Sequence, residues 1–208
     1  MSFFWNRFLA VPGNSDAVLS PPEFFSRLPR LETEDLILRK PVRKDAKDIF
    51  RYASDPDVAR YVLWEPHRSI AETRAFLRDL RYRAAAGYPS SWAVELRNPG
   101  AVIGTIGFMW YSAENHSAEL GYSYSREHWN HGYATQALNA VVDAAFRSLP
   151  LNRLEAQHDI RNPASGRVMQ KCGFRREGIL RNRMINKGEY VDVVLYAILR
   201  SDWMERQR

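Results

Sequence analysis

The sequence predicts an α/β (α+β) fold in which helices flank a central mixed sheet. Three observations lead there. From Glu34 onward, stretches of strand alternation and of helical spacing succeed one another. Two strand–helix units follow in direct succession between residues 117 and 172, and their right-handed crossovers make the strands near 118 and 154 parallel. The helix following Gly132 carries a single apolar stripe, as a helix covering a sheet does.

"EDLILRKP" reads as a strand ended by Pro41, and "RKDAKDIFRYASD" as a helix capped by Asp45 or a neighbour. "HRSIAETRAFLRDLRYRAAAG" offers Ser69 and Glu72 as a capping box and closes on Gly87. "SSWAVELRNPGAVIGTIGFMW" alternates on either side of Asn98, Pro99 and Gly100, the composition of a hairpin turn. In "SAELGYSYS", Ala118, Leu120, Tyr122 and Tyr124 share one face while Glu119, Gly121 and Ser123 share the other. Ala134, Ala137, Leu138, Val141, Val142 and Ala145 then fall at helical spacing. "RLEAQHD" is a strand, and "NPASGRVMQKCGF" a helix with Asn162 as N-cap, Pro163 in its first turn and Gly173 past its end. "FRREGILRNRMI", "NKGE" and "YVDVVLYAIL" finish the chain as strand, turn and strand.

With 208 residues, 45% hydrophobic and 12% aromatic, the chain can bury a substantial core. Its expected organisation is an N-terminal extension at 1–31, one domain at 32–204 and a short tail at 205–208. Phe3, Phe4, Trp5 and Phe8 form an aromatic anchor within the extension. No run approaches the roughly 20 apolar residues of a membrane span, and the first residues lack the pattern of a signal peptide. One cysteine, Cys172, rules out an internal disulfide and a four-thiolate zinc site and fits a reducing compartment, with cytoplasm as the default. The net charge of +6 is spread along the chain. It reads either as a solvated surface or as a field attracting an anionic ligand, a ribosome-like surface or nucleic acid; charge alone does not choose.

The chemistry concentrates at the turn "HWNHGYATQALNAVVDAAF", residues 128–146. A helix N-terminus presents unpaired N–H groups and a partial positive charge, so Asn130, His131, Gly132, Tyr133 and Ala134 make either an anion site or a plain connection. Gly132 permits tight curvature, and Ala134 keeps the first turn small.

"YSREHWNHGYAT", residues 124–135, resembles the pyrophosphate-binding signature of the GNAT superfamily of N-acetyltransferases, an apolar strand residue followed by Gln/Arg-x-x-Gly-x-Gly/Ala. Tyr124 takes the apolar place and Trp129 stands where Gln or Arg is usual, which is similar to the RimJ/RimL branch of ribosomal-protein N-terminal acetyltransferases. "RNPASGRVMQKCGFRREG" resembles that branch's second cofactor segment and "YVLWEPH" its substrate-side segment. The resemblance covers roughly residues 34–203. It implies a mostly antiparallel, twisted sheet whose parallel strands splay after Tyr124 and His158, acetyl-CoA inserted in the split, and pyrophosphate on the turn from Trp129 to Thr135. Tyr122 and Tyr124 then line the cofactor strand, and Asn162 and Ser165 match positions near the thiol end.

Acetyl transfer from a thioester needs a neutral amine, donors for the oxyanion and a proton for the thiolate. Glu119 is the candidate base, directly or through water; the alternative is a solvated or salt-bridged strand carboxylate. Relatives with a base on the strand after the Asn-x-x-Ser helix place it at the position of Met184, which carries no carboxylate. Ser165 either protonates the thiolate or bonds within its own helical turn, with Tyr122 and Tyr124 as rival acids or core aromatics. Cys172 is a packing residue. His116, His128, His131 and His158 form no ligand pair on one helix face, and no metal is expected. Neutralising an α-amine at pH 7 costs about 1.4 kcal/mol and a lysine about 4.6, so weak base machinery suits the α-amine. The expected acceptor is a protein N-terminus, with a polyamine, amino acid or antibiotic as alternatives. A non-catalytic acyl-CoA-binding module is the rival from another class. No direct nucleic-acid partner and no membrane are expected, and the assembly is a monomer or homodimer.

Overall fold

The computed structural model describes residues 19–208, so the aromatic anchor at Phe3, Phe4, Trp5 and Phe8 lies outside the described residues. The strands are β1 (Leu31–Glu32), β2 (Leu36–Arg39), β3 (Ser91–Leu96), β4 (Val102–Ser112), β5 (Ser117–Tyr124), β6 (Arg153–Asp159), β7 (Arg175–Asn186) and β8 (Glu189–Leu199). They form one sheet in the order β1-β2-β3-β4-β5-β6-β8-β7. The helices are α1 (Pro21–Arg27), α2 (Ala46–Ala53), α3 (Pro56–Ala59), α4 (Ile70–Ala85), α5 (Tyr133–Ser148), α6 (Pro163–Lys171) and α7 (Arg200–Arg206).

The sheet is mixed and mostly antiparallel. β5 and β6 are its parallel neighbours, with Ser117 against Arg153, Ala118 against Leu154 and Glu119 against Glu155. Pairing stops there, although β5 continues to Tyr124 and β6 to Asp159. Each strand remains held on its other side, β5 by β4 and β6 by β8. The result is a V whose arms are each paired on their outer side and whose inner edges face each other without ladder pairing between them.

Helices cover both faces. Ala137, Leu138, Val141, Val142 and Ala145 of α5 are fully buried in a cluster with Leu36, Leu38, Ala118, Leu120, Leu154 and Ile198. Phe24 and Phe25 of α1 belong to the same cluster and meet Phe108 edge-on, so the last part of the predicted extension packs into the core. A second cluster joins Ile49, Tyr52 and Ala53 of α2 and Leu77 of α4 to Ala93 and Val102. Beneath α2 a bidentate ion pair links Arg39 to buried Asp45, with Glu95 on the other side of the guanidinium.

Local caps differ from the sequence expectation in three places. Ser69 makes no side-chain cap bond: the Glu72 N–H donates to the Ser69 carbonyl at 3.1 Å, and the Glu72 carboxylate accepts from the backbone N–H of Arg68 at 2.9 Å. Asp45 closes the short 3-10 turn Arg43–Asp45, accepting from the Val42 N–H at 2.7 Å, and makes no cap bond to α2. Asn162 stands at the N-cap position of α6, yet its side chain makes no cap bond either.

Candidate active site

The V opens into a cavity of about 720 Å³. Three walls close it: the inner edge of β5 with the turn that follows, the start of α6, and the loop after α3. Of the residues the sequence singled out, Tyr122, Tyr124, Trp129, Asn130, Gly132, Tyr133, Ala134, Thr135, Asn162 and Ser165 all line this cavity.

The turn into α5 is built from left-handed backbone. Asn130 has φ +64° and Gly132 φ +82°. A Cβ on Gly132 would meet nothing within 4 Å, so glycine serves the backbone angle and keeps the approach to the helix open. The Trp129 indole N–H donates to the Tyr124 carbonyl at 2.9 Å and ties the turn to the end of β5. His131 donates from Nδ1 to the Trp129 carbonyl at 2.8 Å and stacks on Tyr133, outside the cavity lining. Among the described residues no side chain caps α5 or α6, and neither has an acid in its first turn. Two helix N-termini therefore face one cavity with their leading N–H groups uncommitted to side chains.

Charge reinforces this. Arg60, Arg161, Arg167 and Lys171 line the cavity; Arg60 is paired with Asp57, the one carboxylate in the lining, and Arg161 with Asp159 and Glu189, while Arg167 and Lys171 make no ion pair among the described residues. The sequence reading missed these cations because they come from separate segments. The spacing of Arg167 and Lys171, one helical turn apart on α6, was the available signal. Burial lowers the His128 imidazole, and its buried Nδ1 lacks a partner among the described residues.

Tyr122 reaches across the V to α6. Its hydroxyl lies 3.0 Å from the Ser165 carbonyl oxygen and 2.9 Å from Ser165 Oγ. A tyrosine has one proton, so donation to the carbonyl leaves Ser165 to donate to Tyr122. Burial raises the Tyr122 phenol well above its ordinary range. Tyr124 is buried too, and its hydroxyl lacks a partner among the described residues. α6 approaches this closely because of Gly166, where a Cβ would stand 2.6 Å from His158 Nε2.

Glu119 lies apart from the cavity lining, on the opposite face of β5 from Tyr122, at the last paired position before the V opens. Its carboxylate accepts from Trp110 Nε1 at 2.7 Å and Gln157 Nε2 at 3.0 Å. Met184 pairs with Val191 between β7 and β8, away from the cavity lining. Cys172 is buried, and its thiol is pushed up to about 12 by that burial. Among the described residues no group of three or more His, Cys, Asp or Glu side chains is placed to hold a metal, and no helix is long and apolar enough to cross a membrane.

Residues 35–175 match the acetyltransferase (GNAT) domain family. The chain is 36% identical to the uncharacterised N-acetyltransferase YoaA of Bacillus subtilis, over 83% of this chain and 97% of that one. It is similar to the crystal structure of a GNAT-family acetyltransferase from Bacillus anthracis, with TM-score 0.74, 31% identity, and coverage of 83% of this chain and 99% of that one. Two named enzymes are more distant. A spermidine N(1)-acetyltransferase of Vibrio cholerae is 26% identical over 82% of this chain and 96% of its own, and a ribosomal-protein-serine acetyltransferase of Escherichia coli is 34% identical over 46% and 54%. The fold is shared with RimL, a ribosomal L7/L12 α-N-protein acetyltransferase solved with coenzyme A, at TM-score 0.75 and 21% identity, covering 82% of this chain and 98% of that one.

Proposed function

The chain belongs to the GNAT acetyltransferase family and is an acetyltransferase; on that premise we propose that it transfers the acetyl group of acetyl-CoA to a primary amine by direct attack in a ternary complex, with a protein N-terminal α-amine as acceptor. The observation that carries this reading is the placement of Glu119 and the Tyr122–Ser165 pair on opposite faces of β5, where β5 and β6 part. A thioester carbonyl held in that opening has a base on one side and a hydroxyl on the other.

Acetyl-CoA is the donor. Its pyrophosphate takes the N-terminus of α5 on the turn from Trp129 to Thr135, among Arg60, Arg161, Arg167 and Lys171, while its pantetheine arm lies along the inner edges of the V. Glu119 takes a proton from the acceptor's ammonium, directly or through water, which leaves a neutral amine to attack. The amine nitrogen bonds to the acetyl carbon, the C–S bond breaks, and the thiolate takes the Ser165 hydroxyl proton, which Tyr122 can replace; the second proton that the nitrogen sheds as the amide forms passes through water and restores the hydroxyl pair.

The charge beside the opening favours an α-amine over a polyamine. Glu155, level with Glu119 across the β5–β6 pairing, is neutralised by Arg153, which also binds Glu177. Glu119 makes no ion pair among the described residues and is left as the carboxylate for one ammonium. A polyamine reading draws on the spermidine-acetylating relative and needs further free acids. The lone buried cysteine fits a cytoplasmic setting, and residues 32–204 are taken as the catalytic domain.

Release of free thiol from acetyl-CoA, followed with peptides of free N-terminus, N-blocked lysine peptides and spermidine, tests the proposal. Turnover with the first group and little with the others is expected. Tight acetyl-CoA binding without turnover on any amine would overturn it.

A further inference from the structure

We propose that Trp110 and Gln157 are positioning residues for Glu119, clamping its carboxylate across the base of the V from the two strands that flank β5. The inference rests on the reading of Glu119 as the base. A register shift in β4 between Phe108 and Trp110 inserts Met109 as an extra residue. Without it, Met109 would stand opposite Glu119; with it, Trp110 does, and its indole N–H reaches Glu119 Oε2 at 2.7 Å. Gln157 lies two residues beyond Glu155 on the same face of β6, just past the last paired position, and its amide reaches Glu119 Oε1 at 3.0 Å.

The donor type matters as much as the geometry. A lysine or arginine would orient the carboxylate but would also neutralise it and repel an incoming ammonium. An indole and a carboxamide orient it and leave its charge in place. Each carboxylate oxygen keeps a further lone pair for the acceptor or a bridging water. On this face of β6, Glu155 is paired with Arg153, which also holds Glu177, and Asp159 is paired with Arg161. Trp110 is about one-third exposed, and its indole N–H is committed to Glu119.

The test uses the full chain, with kcat and the KM for acetyl-CoA measured for the parent protein and three variants. Trp110→Phe keeps an aromatic ring and removes the donor, and Gln157→Leu removes the other donor. Each is expected to lower kcat roughly tenfold while KM for acetyl-CoA stays unchanged, a split that general loss of structure would not give. Parental kcat in both variants would overturn the inference. Glu119→Gln separates this from failure of the base reading. If Glu119→Gln keeps the parental kcat, both ideas fall; if it is slow while the other two keep the parental kcat, the clamp alone falls.

Discussion

The hydroxyl of Tyr122 on β5 and the hydroxyl of Ser165 on α6 lie 2.9 Å apart, bridging the two sides of the V. Because the Tyr122 proton also has the Ser165 carbonyl at 3.0 Å as an acceptor, Ser165 is the side of the pair proposed to turn toward a leaving thiolate. Ser165→Ala is expected to lower kcat by about 100-fold with little change in either KM. Tyr122→Phe leaves the serine its proton and is expected to cost less than about tenfold. Steady-state kinetics of the two variants checks the order, and a greater loss for Tyr122→Phe would make the tyrosine the direct donor.

At Gly132 two effects separate. Gly132→Ala asks a side chain to adopt φ +82°, which costs about 1 kcal/mol, while the open space around it means no clash. Melting temperature should fall slightly and acetyl-CoA affinity should largely persist. Gly132→Glu sets a carboxylate where the pyrophosphate is proposed to sit, and calorimetry should show affinity reduced at least about 100-fold with the fold retained.

Cys172 offers a pH-dependent readout. Its thiol is pushed up to about 12 in the folded protein, against roughly 8.5 for an exposed cysteine. A raised folded value means that its contribution to stability is whole below about pH 8.5 and is lost as pH rises through about 12. Thiol reagents should therefore react with Cys172 only after unfolding at neutral pH. Cys172→Ala should keep parental turnover while losing about 1 kcal/mol of stability in denaturant titrations.

Lys187, in the turn between β7 and β8, donates to the carbonyls of Ala59 at 2.9 Å and Val62 at 2.8 Å. These carbonyls belong to the segment that brings Arg60, Tyr61 and Val62 to the cavity. Lys187→Met should loosen that wall, raising KM for acetyl-CoA roughly tenfold and quickening proteolysis within residues 60–66. Parental values on both measurements would show that the segment holds its place unaided.

Much of this was legible in the chain because local rules carried it. Alternation in 117–124 assigned Glu119 and Tyr122 to opposite faces, and the glycine ahead of the apolar stripe marked the turn into α5. The parallel pairing of residues 117–119 with 153–155 followed from the handedness of the crossovers. What escaped is non-local or too short for periodicity. The seven residues of α1 span barely two turns, so the burial of Phe24 and Phe25 left no repeat to read. The Lys187 contacts use backbone carbonyls, which every residue has and no sequence pattern marks. The capping box at Ser69 had the right residues, but Glu72 found the N–H of Arg68 instead.

The unpaired inner edges of β5 and β6 carry a consequence for the protein's persistence. Pairing between these strands ends at Glu119 and Glu155, and a donor seated between them, as proposed, would supply a partner to both edges. Ligand that binds only the folded state adds stability as the logarithm of its concentration, about 2.7 kcal/mol at 100 times Kd. A cell rich in acetyl-CoA would hold this chain in a sturdier, longer-lived form than a starved one, so that its abundance as well as its rate would follow the metabolic state.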